Sequence, residues 1–243
     1  MSQTSGIQAD IPSTDSFIPP TKLQSDAADV LKTVYTGGVG LVPLDVAYAL
    51  VGHTEAAVRK IFATKNRSYE KPNGMLSNAQ MSDAIHILPD DKRRIIHSLI
   101  EKHNLPFSVV APFDATHPFF DSVDAFVMQN SSKVGTLDML LNAGQFHNEL
   151  ARQAWDNGRP IFGSSANISL TGSNYRLQDI EEPIRQIADI SIDHGTSKYV
   201  NELGRSSSII DFRDFSVIRV GVVFDKLEEI FREEFGITLK VAQ

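Results

Sequence analysis

Short apolar runs of strand length alternate with amphipathic segments of helical periodicity along this chain of 243 residues. Because several strand patterns follow one another near its end, we expect an α/β fold with a twisted sheet of mixed parallel and antiparallel strands flanked by helices. The chain has no internal repeat and no linker, which favours a single domain. Helices are predicted at 25–35, 54–64, 90–103, 139–157, 177–187 and 226–235. Strands are predicted at 39–43, 84–88, 107–111, 125–129, 160–162, 190–193, 208–211 and 217–223, and a loop or lid at 112–124.

Residues 1–22 are rich in Ser, Thr, Pro and Gln and have little apolar periodicity. We expect a flexible arm there, followed by one domain at 23–243. The N-terminal residues lack the basic and apolar segments of a secretory signal, and no apolar run approaches the roughly 20 residues that span a bilayer. The sequence therefore predicts a cytoplasmic protein that does not enter a membrane.

Two features of the composition argue against classes of function. No cysteine is present, which excludes disulfides, thiolate metal ligands and a cysteine nucleophile. The formal net charge is −7 at pH 7, and this acidity disfavours tight non-specific binding of nucleic acid, which depends on neutralising phosphates. A local basic pocket for a small anion is compatible with that charge.

Three cations, Lys65, Arg67 and Lys71, lie within seven residues directly after the helix predicted at 54–64. Cations at a helix C-terminus are favoured by the helix dipole, so one or two of these charges need no functional explanation. The dipole explains less well why the chain continues into a turn that ends at Pro72, and clustered cations suit a polyphosphate or a carboxylate. The cluster alone leaves a solvated helix end and an anion site equally open.

Two serine-rich turns adjoin predicted strands, where hydroxyls and backbone N–H groups suit contacts with phosphate. The first, 163–169, departs from the nucleophile elbow G-x-S-x-G because Asn167 replaces the last glycine, and none of the seven histidines has a triad-like setting. A serine hydrolase is therefore disfavoured, while an ordinary polar turn capped by Asn167 remains open. The second turn covers 204–211. Arg219 is a cation within the apolar strand 217–223, where it needs a partner or solvent.

The cation cluster and the serine-rich turns predict one anion pocket built from distant parts of the chain, and their order resembles that of the motifs in the YrdC/Sua5/YciO family. Members of that family carry P-T-[DE]-T-x-Y-G-L, K-x-R-x-x-x-K-P, S-A-N-x-S-G, S-T-V-[VI]-D and R-x-G. This chain reads P-L-D-V-A-Y-A-L at 43–50, K-N-R at 65–67 with K-P at 71–72, S-A-N-I-S at 165–169, S-S-I-I-D at 207–211 and R-V-G at 219–221. The resemblance covers roughly residues 25–225.

The resemblance implies a YrdC-like fold with a concave, positively charged crevice, and the synthesis of threonylcarbamoyl-adenylate from ATP, bicarbonate and threonine. It implies ATP as a substrate, Mg²⁺ as a cofactor, and tRNA or tRNA-modification proteins as further partners, because the product feeds the modification of tRNA adenosine A37. Catalytic roles pass to Lys65 and Arg67. Roles in binding the substrate or the nucleotide pass to Asp45, Tyr48, Lys71, Ser165, Asn167, Ser207 and Arg219. No residue is assigned to a metal.

Departures from the family pattern bear on the reaction. Leu44 and Val46 stand where the family has threonines, which removes hydroxyls near the amino acid. Ala49 stands where the family has glycine. The arginine of a family segment V-x-V-R-V-P is missing, with 134–138 in its place. Three functions therefore stay open: an adenylate-forming enzyme for threonine or an altered acceptor, a catalytically impaired protein that binds nucleotide or RNA, and an interaction protein with a vestigial crevice.

Overall fold

The described residues of the computed structural model, 18–68 and 70–241, form one sheet of eleven strands. The strands are β1 Gly40–Val42, β2 Ala49–Gly52, β3 Gly74–Ser77, β4 Phe107–Pro112, β5 Ser132–Lys133, β6 Thr136–Leu141, β7 Phe162–Ser165, β8 Ile190–Ser191, β9 Ile209–Asp211, β10 Ser216–Arg219 and β11 Lys240–Val241. Their order is β11-β10-β9-β4-β6-β3-β7-β2-β1-β8, and β5 pairs with β6.

Parallel and antiparallel pairs are mixed within this sheet. The pairs β3–β6, β4–β9, β1–β8 and β10–β11 are parallel. The pairs β1–β2, β2–β7, β3–β7, β4–β6, β5–β6 and β9–β10 are antiparallel. The prediction of a mixed α/β sheet flanked by helices in a single domain is confirmed.

The helices are α1 Pro20–Tyr35, α2 Glu55–Thr64, α3 Ala79–Ile85, α4 Asp90–His97, α5 Ala125–Gln129, α6 Gln145–Asp156, α7 Glu182–Gln186 and α8 Phe224–Phe235. A π-helical turn, Ser98–Lys102, extends α4, so the helix predicted at 90–103 is present. α1 begins at Pro20 because proline is well suited to the first helical turn. The boundary predicted at residue 22 therefore lies inside α1, and residues 1–17 of the predicted arm lie outside the described residues.

The helix α2 follows the sequence pattern closely. The Thr54 hydroxyl accepts a hydrogen bond from the Ala57 N–H at 3.4 Å, which caps the helix as predicted. Its buried face consists of Ala57, Val58, Ile61 and Phe62, the apolar stripe read from the sequence. This packing fixes where α2 ends and therefore where the cation cluster begins.

Two predicted strands are wrong, because α3 extends into the first segment and α5 fills the second. Residues 84–88 contain the end of α3, which the Asn78 side chain caps by accepting from the Met81 N–H at 2.9 Å. Residues 125–129 form α5, in which Val127 is buried. Apolar runs of five residues do not distinguish a buried strand from a short helix, and the capping asparagine decides the first case.

Two predicted helices are too long. The helix predicted at 139–157 begins only at Gln145, because 136–141 is β6, which pairs with both β3 and β4. The helix predicted at 177–187 is a 3₁₀ turn, Leu177–Asp179, followed by α7. Pro183 lacks the N–H that a continuous helix would need at that position, so a new helix starts there.

The segment predicted as a loop or lid, 112–124, is anchored to the core. Its 3₁₀ turn, Pro118–Phe120, buries Phe119 and Phe120, and the Phe119 ring lies 4.9 Å from the Trp155 ring. Nothing in this packing indicates a mobile lid. Among the described residues, no helix has both the length and the apolar character to cross a membrane.

The β5–β6 hairpin has a two-residue turn, Val134-Gly135, with φ of 51° and 73°. Both positive angles are typical of a type I′ turn, which asparagine followed by glycine adopts best and a β-branched residue adopts poorly. Val134 is 85% exposed and gains little from packing. We expect Val134→Asn to raise the free energy of unfolding by about 1 kcal/mol in denaturant titrations.

The matched substitution Gly135→Ala should lower that free energy by about 1 kcal/mol, because a Cβ there meets nothing within 4 Å and the effect is purely conformational. A neutral or destabilising Val134→Asn variant would contradict the assigned turn.

Candidate functional site

One crevice collects side chains from strands and turns that are far apart in the chain. Its cavity measures about 120 Å³ and is lined by residues of β2, β7, β3, β6, β4, β9 and β10 and of the turns beside them. The polar residues that line it are Tyr48, Arg67, Ser108, Asp138, Ser164, Ser165, Ser206, Ser207 and Arg219. Two arginines and several hydroxyls around one hollow are suited to a phosphate or a carboxylate.

Two glycines leave the floor of the crevice open. Gly74 on β3 lies opposite Gly163 on β7 in an antiparallel pair. A Cβ at Gly163 would come within 2.9 Å of the Leu50 carbonyl oxygen, so only glycine fits there. The absence of side chains at these two positions leaves room for a ligand between the arginines and the serine-rich turns.

The Arg67 guanidinium is held by the turn that follows α2. Its Nη2 donates to the Pro72 carbonyl at 2.7 Å and its Nε donates to the Lys71 carbonyl at 3.1 Å. Burial lowers the pKa of Arg67 to about 10, with the nearby Arg219 adding to the effect. Arg67 therefore remains a cation at neutral pH, and backbone carbonyls fix its position without neutralising it.

Arg219 reaches the crevice from the end of β10. Its Nε donates to the Ser207 carbonyl at 2.9 Å, and its Nη2 donates to the Ser207 hydroxyl at 3.1 Å. Burial lowers the pKa of Arg219, while Asp138 opposes that shift. The cation that the sequence analysis found within an apolar strand thus has its partners in the second serine-rich turn and on β6.

Asp138 is a crevice residue that the sequence analysis missed. It lies on β6 between the buried residues Leu137 and Met139, and its Oδ1 is buried without a hydrogen-bond partner. Burial raises the pKa of Asp138 to about 6, although Arg219, Ser108 and Arg67 oppose the shift. If 136–141 had been recognised as a strand, the alternation of side chains would have placed Asp138 on the face opposite that of Leu137 and Met139.

Asp138 should make the stability of the protein depend on pH. Its pKa rises from 3.8 in the unfolded chain to about 6 in the fold, so the folded state holds the proton more tightly and loses stability as the pH rises through about 6. Asp138→Asn removes this loss. We compare the free energies of unfolding of the variant and the wild type in denaturant titrations. As the pH rises from 4 to 8, the difference should change by about 2–3 kcal/mol in favour of the variant.

The exposed substitution Asp121→Asn makes the same chemical change outside the crevice and serves as the control. A pH-independent difference for Asp138→Asn would show that the carboxylate titrates normally.

Lys65 lies under the first serine-rich turn and does not line the crevice. Its side chain is almost fully buried, with a relative exposure of 1%, and its ammonium donates to the carbonyl oxygens of Ser165 and Asn167. Burial, with a contribution from Arg67, lowers the pKa of Lys65 to about 7. Lys65 thus joins the end of α2 to the turn, and the catalytic role that the resemblance gives it stays a prediction.

Ser165 and Asn167 are joined within that turn. The Ser165 hydroxyl donates to Asn167 Oδ1 at 2.6 Å, and the Asn167 Nδ2 donates to the Ile168 carbonyl at 2.5 Å. Ser165 lines the crevice, whereas the buried Asn167 shapes the turn from behind. Ser164, on the same strand, also lines the crevice, and its buried hydroxyl has no partner. Because side chains alternate along β7, the Ser164 hydroxyl points to the sheet face opposite that of Gly163, whereas Ser165 shares the face of Gly163.

The remaining predicted site residues lie in three places. Tyr48 lines the crevice but is fully buried, with its hydroxyl 2.8 Å from Asp193 Oδ1, and burial raises its pKa. Asp45 lines a separate cavity of about 350 Å³, beside Gly144 at the start of α6. Lys71 is exposed and does not line the crevice.

The two apolar replacements of the resembled motif also separate. Leu44 lines the crevice, whereas Val46 is fully buried in the core. No cluster of three or more His, Asp or Glu side chains that could hold a metal occurs among residues 18–68 and 70–241. The crevice offers one carboxylate, that of Asp138, together with hydroxyls.

The family model described as "Telomere recombination" (Sua5/YciO/YrdC) matches residues 32–221. This chain belongs to the Sua5/YciO/YrdC family. The match covers the whole crevice, from β2 to the end of β10. No curated protein matches the chain in sequence.

Solved structures with the Sua5/YciO/YrdC fold are similar to this chain at low identity. A hypothetical protein of Streptococcus mutans has a TM-score of 0.74 and 18% identity, over 88% of this chain and 94% of the other. Sua5 of P. abyssi, in complex with L-threonine, has a TM-score of 0.68 and 18% identity, over 93% and 60%. YciO of E. coli has a TM-score of 0.60 and 19% identity, over 82% and 90%. The chain thus spans 60% of the length of that Sua5, and these likenesses establish the fold.

Proposed function

We propose that this Sua5/YciO/YrdC-family protein forms a carbamoyl-adenylate from ATP, bicarbonate and an amino acid, in the manner of a threonylcarbamoyl-AMP synthase. The observation that carries the proposal is the convergence of Arg67, Arg219 and the two serine-rich turns on one crevice. The similarity to Sua5 bound to L-threonine supports an amino acid as the second substrate. By the same argument, the product would serve the modification of tRNA adenosine A37, with tRNA or tRNA-modification proteins as downstream partners.

The proposed chemistry needs positioning and charge more than it needs covalent catalysis. The ammonium group of the amino acid loses a proton to solvent, and the resulting amine combines with bicarbonate to give a carbamate and water. A carbamate oxygen then attacks the α-phosphorus of ATP. The new O–P bond forms as the bond to the β-phosphate breaks, and pyrophosphate leaves. Arg67 and Arg219 would stabilise the negative charge on the phosphates, while Ser165 and Ser207 would donate hydrogen bonds.

Two further features define the substrates. Mg²⁺ would enter the crevice with the phosphates of ATP, because a single carboxylate does not make a metal site of its own, and no step above depends on the ion. Leu44 and Ala47 line the crevice with apolar surface. An amino acid with a less polar side chain than threonine would suit this surface, since a hydroxyl there would lose its hydrogen bonds with water.

Pyrophosphate release tests the proposal directly. The protein is incubated with ATP, Mg²⁺, bicarbonate and each of the standard amino acids in turn. We expect at least one amino acid to raise the rate of release about tenfold or more over the reaction without amino acid, and this increase to require bicarbonate. If no amino acid stimulates release, the proposed activity is wrong.

A catalytically impaired nucleotide-binding protein is the second candidate, and the composition of β6 favours it. In the place of the family arginine, β6 gives the crevice Asp138 and Leu140. This candidate predicts ATP binding in titrations without release of pyrophosphate. Its RNA-binding form predicts tRNA retention that falls steeply with salt, and the net charge of −7 disfavours that form.

A further inference from the structure

We propose that Asp138 binds the ammonium group of the amino acid, so that the crevice selects a zwitterion whose carboxylate shares Arg67 and Arg219 with the phosphates of ATP. This inference rests on the proposed function, which supplies an amino acid as substrate. It adds a residue that determines specificity, on the strand from which the family arginine is missing.

The first observation is an unused acceptor. Asp138 Oδ1 is buried and has no hydrogen-bond partner, although it lines a cavity. Across the parallel β3–β6 pair, Gly74 leaves the space in front of the carboxylate open, since a Cβ at Gly74 would lie only 3.4 Å from Asp138 Oδ2. The carboxylate therefore has one oxygen without a partner and the other beside the space that Gly74 leaves open, which places it to receive a hydrogen-bond donor of the ligand.

The second observation is the distribution of charge. Arg219 and Arg67 both interact electrostatically with Asp138, and Ser108 contributes a hydrogen bond. Negative charge beside two arginines weakens their attraction for a phosphate, so Asp138 is poorly explained in a site for anions alone. An α-amino acid carries an ammonium group and a carboxylate close together. A crevice that places one carboxylate near two arginines offers the opposite charge to each of these groups.

The third observation excludes a dedicated metal role. The carboxylate of Asp138 is the acidic group among the crevice residues, and no cluster of three or more metal-ligating side chains occurs within the described parts of the chain. A divalent cation bound mainly by protein oxygens needs several such ligands. An ammonium needs one carboxylate and hydroxyl groups nearby, which Asp138 and Ser108 supply from the same face of the sheet.

The test compares the affinities of two probes in isothermal titration calorimetry, without divalent cations. The first probe is whichever standard amino acid binds the wild type most tightly, and the second is inorganic pyrophosphate. We expect Asp138→Asn to weaken the amino acid about tenfold or more, because a charge-assisted hydrogen bond is lost. The same variant should bind pyrophosphate about threefold to tenfold more tightly, because a repelling charge is removed.

A matched control and an analogue sharpen the result. The exposed variant Asp121→Asn, with the same change in net charge, should leave both affinities unchanged. The 2-hydroxy acid that corresponds to the amino acid should bind the wild type about tenfold more weakly than the amino acid, and Asp138→Asn should remove this preference. Thermal unfolding of Asp138→Asn establishes that the variant is folded.

Opposite changes in the two affinities support the inference. A loss of both affinities would make Asp138 a purely structural residue and overturn it, as would unchanged amino acid affinity or a wild type that binds no amino acid. An effect that occurs only when Mg²⁺ is added would place a metal ion at Asp138 and also overturn it. If opposite changes are found while the wild type releases no pyrophosphate, the ammonium site stands and the proposed enzymatic activity fails.

Discussion

Replacing Lys65 by methionine is expected to lower the free energy of unfolding by about 3 kcal/mol and to weaken pyrophosphate binding. The substitution keeps the volume of the buried side chain but leaves the carbonyl oxygens of Ser165 and Asn167 without their donor. Without that donor, the first serine-rich turn loses its side-chain contact with the end of α2 and keeps the backbone hydrogen bond from the Ser169 N–H to the Lys65 carbonyl. Denaturant titration measures the first effect and calorimetry the second.

The pH dependence of Lys65→Met provides an independent check. The pKa of Lys65 falls from 10.5 in the unfolded chain to about 7 in the fold, so the unfolded state holds more protons between these values. The wild type therefore gains stability as the pH rises above about 7, and the methionine variant lacks this gain. The exposed substitution Lys71→Met should change stability by less than about 0.5 kcal/mol. If Lys65→Met were as stable as Lys71→Met, Lys65 would not support the turn.

Arg219→Gln is expected to weaken pyrophosphate binding by about tenfold to a hundredfold. A guanidinium contributes charge-assisted hydrogen bonds to phosphate, and glutamine retains the hydrogen bonding without the charge. Arg219 is also a cation facing Asp138, so its removal should further raise the pKa of that carboxyl and destabilise the fold at neutral pH. Calorimetry with pyrophosphate and denaturant titration at pH 7 measure the two effects.

A double-mutant cycle separates the two roles of Arg219. Asp138→Asn in the Arg219→Gln background should restore most of the lost stability, because the unpaired carboxylate is then absent, but it should not restore the binding of pyrophosphate to the wild-type level. Arg232→Gln, an exposed change of the same charge on α8, should leave binding unaltered. Equal losses of binding in Arg219→Gln and Arg232→Gln would mean that overall charge, and not the crevice, attracts the anion.

Local patterns predicted much of the architecture that positions the crevice. Thr54 and the apolar stripe of α2 are encoded within one helix, so the sequence alone places the start of the cation cluster. The order of the motifs led to the expectation that Arg67 and Arg219 face a common ligand, and the structure brings both to one cavity.

The parts that sequence reasoning missed depend on contacts across the sheet. Residues 136–141 become a strand because β3 and β4 pair with them on either side, which local periodicity does not reveal, and Asp138 was missed for that reason. The burial of Lys65 was missed because its partners lie about a hundred residues away, at the end of β7 and in the turn that follows it. Asp45 lines the other cavity although it is only two residues from Ala47, because local sequence does not show where each side chain of the connection between β1 and β2 points.

A crystal structure of the protein with a non-hydrolysable ATP analogue tests the central claim most directly. We predict phosphate oxygens within about 3 Å of the guanidinium groups of Arg67 and Arg219, and beside the Ser165 and Ser207 hydroxyls. Phosphates bound in the larger cavity beside Asp45 and the start of α6, with the crevice between the two arginines empty, would contradict it.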